Sequence, residues 1–123
     1  PLVSSPDSYL ALSSLYLQSF NDPEALLTAQ KGLTSLIPQS PKLIQQGLLW
    51  VEIVSLWNMN KKDLAFVKAM AFKKERVLDP ALRRPLEDIL QKKSPSVQSL
   101  RPSYDFFGGG FLNLPSSLAA YAD

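Results

Sequence analysis

The side chains that carry out most enzyme chemistry are scarce in this sequence. Its 123 residues include neither His nor Cys. This excludes thiolate nucleophiles, disulfide bonds, Ser-His-Asp triads, imidazole acid–base catalysis and the usual zinc sites. The adjacent carboxylates Glu87 and Asp88 fall on a predicted helix, where neighbouring side chains point about 100° apart. The helix dipole also stabilises acidic side chains in an early turn. We therefore do not interpret Glu87 and Asp88 as an acid–base pair.

The glycine-rich stretch Gly108-Gly109-Gly110 does not match a phosphate-binding loop. It lacks the Lys and Ser/Thr that follow the glycines of a P-loop, and the G-x-G-x-x-G spacing of a dinucleotide site. We interpret it as a turn between aromatic residues. The sequence therefore predicts a protein that is not an enzyme, with no catalytic residue, no metal site and no cofactor.

The basic residues are concentrated in the middle of the chain. Residues 41–101 hold twelve Lys and Arg against six acids, a charge of +6, whereas residues 1–40 and 102–123 each carry −2. A candidate basic patch consists of Lys61, Lys62, Lys68, Lys73 and Arg76. On a helix these side chains divide between two sectors, which favours solvated faces. A surface for phosphates of nucleic acid or for an acidic partner remains the alternative.

Proline divides the sequence into helical segments. At three places a residue type that commonly caps helices comes directly before a proline. These pairs are Asp22-Pro23, Ser40-Pro41 and Asp79-Pro80. Each pair predicts a helix start, because Asp or Ser accepts hydrogen bonds from the first turn and proline suits the first helical position. The predicted helices cover residues 6–19, 23–37, 41–57, 61–78 and a weaker segment that ends near 93.

The apolar pattern indicates which helix faces are buried. Tyr9, Leu12, Tyr16 and Phe20 form one stripe on the first helix. Residues 48–57 are apolar on nearly every side, which predicts a helix buried between neighbours.

Three further positions affect how the helices meet or end. Gly32 within the second helix either permits a close approach of helices or is merely tolerated. Asn60 is predicted to cap the fourth helix, which has two apolar sides, one of them containing Phe66 and Met70. Pro85 is expected to kink the fifth helix or delay its start.

Two helical hairpins follow each other at a spacing of forty residues. Ala25 and Ala29 recur as Ala65 and Ala69. Residues 6–40 resemble a tetratricopeptide repeat in five positions. Ser13, Gly32 and the loop between the two helices, which has no Gly, depart from the family pattern. Residues 41–80 match the family more loosely. The five matching residues are Tyr9, Leu12, Tyr16, Ala25 and Pro38.

The predicted fold is all-α, with four to five antiparallel helices and an irregular aromatic C-terminal tail. The helices are arranged either as stacked tetratricopeptide-like hairpins or as a compact bundle. The predicted division is a helical domain over residues 1–93 and a Pro/Gly/aromatic tail over 94–123. Six large apolar side chains lie within residues 104–114, so the tail is expected to pack on the domain, on a partner or on another copy of the chain.

These features predict a protein–protein interaction module that binds a partner segment in an apolar helical groove, as stacked hairpins do. Its role would be that of an adaptor, an assembly chaperone or a subunit of a larger complex. The alternative is a nucleic-acid or phosphate-binding domain that uses the basic segment 61–93. Besides Leu12, the candidate partner-binding residues are Tyr9, Tyr16, Trp50, Trp57, Phe66, Tyr104, Phe106, Phe107 and Phe111.

The sequence leaves the compartment open. The longest apolar run, residues 47–57, is broken by Glu52 and is too short to span a bilayer. The chain begins at Pro1, which indicates a processed or trimmed N-terminus, and it shows no signal-peptide pattern. The absence of Cys suits a reducing cytosol and equally a secreted domain with an adequate core.

Overall fold

The structure, a computed structural model, describes residues 5–77 and 80–93. In this part of the chain all regular structure is helical, and no strand is present. None of the described helices is long and apolar enough to cross a membrane. The predicted tail, residues 94–123, lies outside the described residues. The helices are α1 (Pro6–Gln18), α2 (Asp22–Thr34), α3 (Lys42–Asn58), α4 (Lys62–Lys73), a 3₁₀ helix (Pro80–Leu82) and α5 (Arg83–Leu90).

The helix starts confirm the role of proline but correct two of the predicted caps. Asp22 is the first residue of α2 rather than its cap, and its carboxylate accepts a hydrogen bond from Asn58 Nδ2 at 3.2 Å. Ser40 Oγ accepts a hydrogen bond from the N–H of Ile37 at 3.0 Å, and Pro41 is the N-cap of α3. Both side chains therefore stabilise a turn or a neighbouring helix. Asp79 lies outside the described residues.

Helices α1, α3 and α5 end in the same hydrogen-bonded turn, with one residue in the left-handed conformation. These residues are Phe20, Asn60 and Lys92, with φ of 61°, 63° and 63°. At the end of α3, Asn60 N–H bonds to Trp57 O at 3.0 Å and Lys61 N–H to Leu56 O at 2.9 Å, as in a Schellman motif. Asn60 thus closes α3, and the prediction that it caps α4 is wrong.

The two hairpins repeat with a period of forty residues. Helix α1 ends at Gln18 and α3 at Asn58, and their second helices begin at residues 22 and 62. All four alanines that recur at this spacing are fully buried, so they occupy equivalent places against the first helix of each hairpin. Helix α3 packs against α1, α2 and α4, and α5 packs against α4. The order of the helices in space follows their order in the chain.

The core lies along α3, as its apolar sequence predicts. Residues 50–57 are all buried, and one apolar cluster joins the apolar side chains among them to side chains of every other α-helix. Gly32 lies in a close approach of helices, because a Cβ atom there would be 2.6 Å from Leu48 Cδ2 and 2.8 Å from Tyr9 Cβ. Forty residues later the equivalent position holds Phe72, which is buried.

The first and fourth helices depart from the prediction at their C-terminal ends. Phe20, expected on the buried stripe of α1, follows the helix and is 72% exposed because the left-handed turn directs the chain away from the stripe. Helix α4 ends at Lys73 rather than near residue 78. The segment around Pro85 begins as a 3₁₀ turn before α5, which agrees with the delayed start expected from that proline.

Candidate functional site

One face of α4 carries apolar side chains that the described residues do not cover. Helix α4 directs Ala65, Ala69 and Phe72 into the core. On the opposite side Val67 is 62% exposed and Met70 is 46% exposed. Apolar side chains spaced three and four residues apart form a continuous stripe along a helix, so this face of α4 is a surface suited to contact with another element.

Two cavities lie along this face, the first between α4, the end of α3 and the turn after α5, and the second between α4 and α5. The first has a volume of about 560 Å³ and the second of about 350 Å³, both within the range of roughly 300–1,000 Å³ typical of binding pockets. Phe66 lines both cavities, so they lie on either side of this side chain. We call the two cavities together the α4–α5 groove, and its residues are Trp57, Lys62, Asp63, Phe66, Val67, Lys92, Met70, Lys73, Lys74 and Leu90.

The groove has an apolar floor and a basic rim. Among the described residues that line it, four are lysines and one is a carboxylate, Asp63. Lys73 Nζ also lies 3.2 Å from Glu87 Oε1, which joins α4 to α5. Both of those side chains are about half exposed, so their attraction is largely screened by solvent. The groove is therefore suited to a ligand that combines apolar groups with negative charge.

Lys62 occupies an electrostatically unfavourable place in its own helix. It is the first residue of α4, where the helix dipole favours acids and a cation costs about 0.3–1 kcal/mol. Its Nζ lies 5.1 Å from the centroid of the Trp57 ring, a cation–π contact that offsets part of this cost. The contact holds the ammonium group at the mouth of the larger cavity.

The predicted basic patch divides into groove and non-groove residues. Lys62 and Lys73 line the groove. Lys68 lies elsewhere on α4, with its Nζ 3.3 Å from the buried carboxylate of Glu52. Lys61 is exposed beside the start of α4, and Arg76 is exposed after its end. Ion pairs thus bind two of the five basic side chains to acids of this chain, which weakens the case for a continuous phosphate-binding surface.

The predicted aromatic residues also separate in space. Trp57 and Phe66 both line the larger cavity, but Trp57 belongs to the core and is only 3% exposed, whereas Phe66 is partly exposed. Tyr9 and Tyr16 are partly buried against the core. Trp50 is only 1% exposed, so it offers no surface to a partner, and its indole N–H has no hydrogen-bond partner among the described residues. Leu12 is also buried in the core. The tail residues Tyr104, Phe106, Phe107 and Phe111 lie outside the described residues.

Sequence reasoning did not single out Val67 or Leu90 as parts of a site, and it included Lys92 only within the basic segment 61–93. The apolar stripe of Phe66 and Met70 was visible in the sequence, and Val67 extends it by one residue. Lys92 reaches the cavity only because α5 ends at Leu90 and turns through a left-handed residue. No local sequence signal marks that end, since the residue in the left-handed conformation is Lys rather than Gly or Asn.

Comparison with protein-family models, with curated proteins and with solved structures gives no significant match to this chain. Within residues 5–77 and 80–93, no three acidic side chains come together as a possible metal site. What the groove binds is therefore inferred from the shape and charge of its own residues.

Proposed function

We propose that this chain is a non-enzymatic protein–protein interaction module that binds a segment of a partner in the α4–α5 groove. The observation that carries the proposal is the exposed apolar stripe of α4 beside a cavity of about 560 Å³, which is lined by the partly buried ring of Phe66. Aromatic side chains in such depressions are frequent energetic centres of protein interfaces. The corresponding role is that of an adaptor, an assembly chaperone or a subunit of a larger complex.

The proposed architecture is a stack of tetratricopeptide-like hairpins. The forty-residue period and the packing of α3 against both helices of the first hairpin support it. Ala25, one of the residues that carry the resemblance, is fully buried. Stacked hairpins leave helix faces along their surface and at the end of the stack, and these faces serve as binding sites for peptide segments.

A display library of random 16-residue peptides, selected against the full chain, tests the proposal. We expect binders whose affinity falls at least tenfold with Val67→Asp, because the substitution places a charge in the apolar stripe. Leu27→Asp is the matched control, since Leu27 lies forty residues earlier on α2 and is 46% exposed outside the groove. Binders that respond equally to both variants, or no binders at all, would contradict groove binding.

The salt dependence of binding separates this function from binding of nucleic acid. A ligand that contacts phosphates through four lysines would lose about 100-fold in affinity between 50 and 200 mM salt. An apolar contact with a charged rim should lose less than about tenfold over that range. A steep loss of affinity with salt, together with an affinity that Val67→Asp does not change, would favour the basic segment 61–93 as the binding surface.

A further inference from the structure

The exposed apolar side chains of the described residues are concentrated on α4. Of six large ones, three lie within seven residues of this helix, namely Leu64, Val67 and Met70. Because a helix turns by about 100° per residue, these three side chains fall within one sector of about 120°. The residues that α4 directs into the core lie on its other side. The outer sector is therefore the largest apolar face that the described residues leave uncovered on one helix.

The described part of the chain ends beside this face. Helix α5 packs against α4. Lys92, in the turn after α5, lines the larger cavity together with Phe66 and Val67. Lys93 is the last described residue. The C-terminal tail, residues 94–123, is thus attached at the edge of the groove.

The aromatic part of the tail is within reach of the whole face. Ten residues, 94–103, connect Lys93 to Tyr104. Ten residues span at most about 36 Å when fully extended, whereas the twelve residues of α4 are about 18 Å long. The connection is therefore long enough for contact with the exposed sector and short enough to keep the aromatic segment near it.

The composition of residues 104–114 matches the groove in apolar content and in charge. The only charged residue in this segment is acidic, Asp105. The groove has an apolar floor, and its charged lining consists of four lysines and one carboxylate. Aromatic rings can pack on such a floor and accept cation–π contacts from the lysines, as Trp57 does from Lys62 at 5.1 Å. The six large apolar side chains of the segment are Tyr104, Phe106, Phe107, Phe111, Leu112 and Leu114.

From these observations we infer that residues 104–114 of this chain occupy the α4–α5 groove when no partner is bound. The tail and the partner segment then compete for the same face of α4, so the tail is an intramolecular inhibitor of binding. The inference rests on the proposed function, because it states how that same site is regulated.

Attachment to the same chain gives the tail an advantage over a free ligand. A linker that can span the two sites makes binding intramolecular, with an effective concentration of the order of 1 mM. A segment with an intrinsic dissociation constant of about 0.1 mM would then fill the groove in about nine of ten molecules. A partner would bind about tenfold more weakly than it binds the same groove without the tail.

The position of the tail can be measured in the full chain without any partner. Because the sequence has no Cys, Ser103→Cys provides a single site for a nitroxide label next to the aromatic segment. The label should broaden the amide NMR signals of residues 62–71 of α4. Phe106→Ser with Phe107→Ser should remove at least half of this broadening, because the segment loses two of its apolar anchors.

Two controls accompany this measurement. Val97→Ser with Leu100→Ser removes two apolar side chains from the connection rather than from the segment, and it should leave the broadening unchanged. A mixture of spin-labelled chain without ¹⁵N and unlabelled ¹⁵N chain reports contact between copies, and it should show no broadening of residues 62–71.

Peptides from the display library measure the competition. Those whose affinity depends on Val67 should bind the chain with Phe106→Ser and Phe107→Ser about tenfold more tightly than the unaltered chain. The chain with Val97→Ser and Leu100→Ser should bind them with unaltered affinity.

The inference and the proposed function fail on different results. Broadening that persists after the phenylalanine substitutions, or that appears in the mixed sample, would overturn the inference and leave the groove as a site for a partner. Peptides that depend on Val67 but bind all three chains equally would overturn it as well. Broadening that depends on the phenylalanines, together with no peptide binder to any of the chains, would support the place of the tail and contradict the proposed function.

Discussion

Gly32 lies where three helices meet, and its lack of a side chain allows the first hairpin to pack against α3. A Cβ atom at this position would be 2.8 Å from Tyr9 Cβ on α1 and 2.6 Å from Leu48 Cδ2 on α3. The leucine could rotate away, but the Tyr9 Cβ is fixed to its backbone. The two readings of Gly32 that the sequence leaves open, tolerance and close approach, are thus decided in favour of close approach.

We expect Gly32→Ala to destabilise the protein by up to about 2 kcal/mol. Overpacking typically costs 1–3 kcal/mol, whereas the higher helix propensity of Ala returns only about 1 kcal/mol. Urea unfolding followed by circular dichroism measures the change. Lys31→Ala, at the exposed neighbouring position, is the control and should change stability by less than about 0.5 kcal/mol. A stabilised Gly32→Ala variant would show that the helices separate at little cost.

The helix ends show how equivalent positions of the two hairpins use different residues. Phe20 and Asn60 lie forty residues apart, and both have positive φ after the first helix of their hairpin. Asn adopts this conformation readily, whereas a bulky residue rarely does. Phe20 is also 72% exposed, so little burial offsets its backbone strain.

Phe20→Asn should therefore stabilise the protein by about 1 kcal/mol, which raises the melting temperature by about 4 °C. The reciprocal substitution Asn60→Phe should lower stability by a similar amount, because the strain is moved to the second hairpin. Thermal unfolding of both variants tests the pair. Loss of stability in Phe20→Asn would mean that the phenyl ring makes stabilising contacts that outweigh its conformation.

The helices that proline and apolar periodicity define could be predicted from the sequence, but some of their ends could not. Pro6, Pro23 and Pro41 place the starts of the first three helices within one residue, and the apolar run 48–57 identifies the central helix. The end of α5 depends on a left-handed Lys92, a residue type that gives no such signal. The sequence thus identified Trp57 and Phe66 as candidate residues and placed Lys92 in the basic segment 61–93, but it did not show that Lys92 lies beside Phe66 at one cavity.

The two hairpins are joined by a polar contact as well as by the core. The carboxylate of Glu52 on α3 lies 3.4 Å from Gln30 Nε2 on α2 and 3.3 Å from Lys68 Nζ on α4. Its side chain is only 5% exposed, whereas that of Lys68 is 37% exposed. The contact links the last helix of the first hairpin to both helices of the second.

Removal of the two partners of this ion pair should have unequal effects. Lys68→Met leaves a buried carboxylate with only Gln30 as a partner and should cost about 2 kcal/mol. This is less than the roughly 3–5 kcal/mol typical of broken buried pairs, because Lys68 is partly solvated. Glu52→Gln leaves an ammonium group that solvent can reach and retains a polar group for Gln30. It should cost about 1 kcal/mol.

Urea unfolding of the full chain measures both changes, and Lys73→Met provides the control. That substitution breaks the Lys73–Glu87 pair, whose side chains are 58% and 48% exposed, and should cost at most about 0.5 kcal/mol. Equal losses in all three variants would mean that the Glu52 carboxylate is well solvated and does not fix the hairpins. A larger loss for Lys68→Met than for Glu52→Gln is expected only if the buried charge, rather than the contact itself, dominates the energy of the junction.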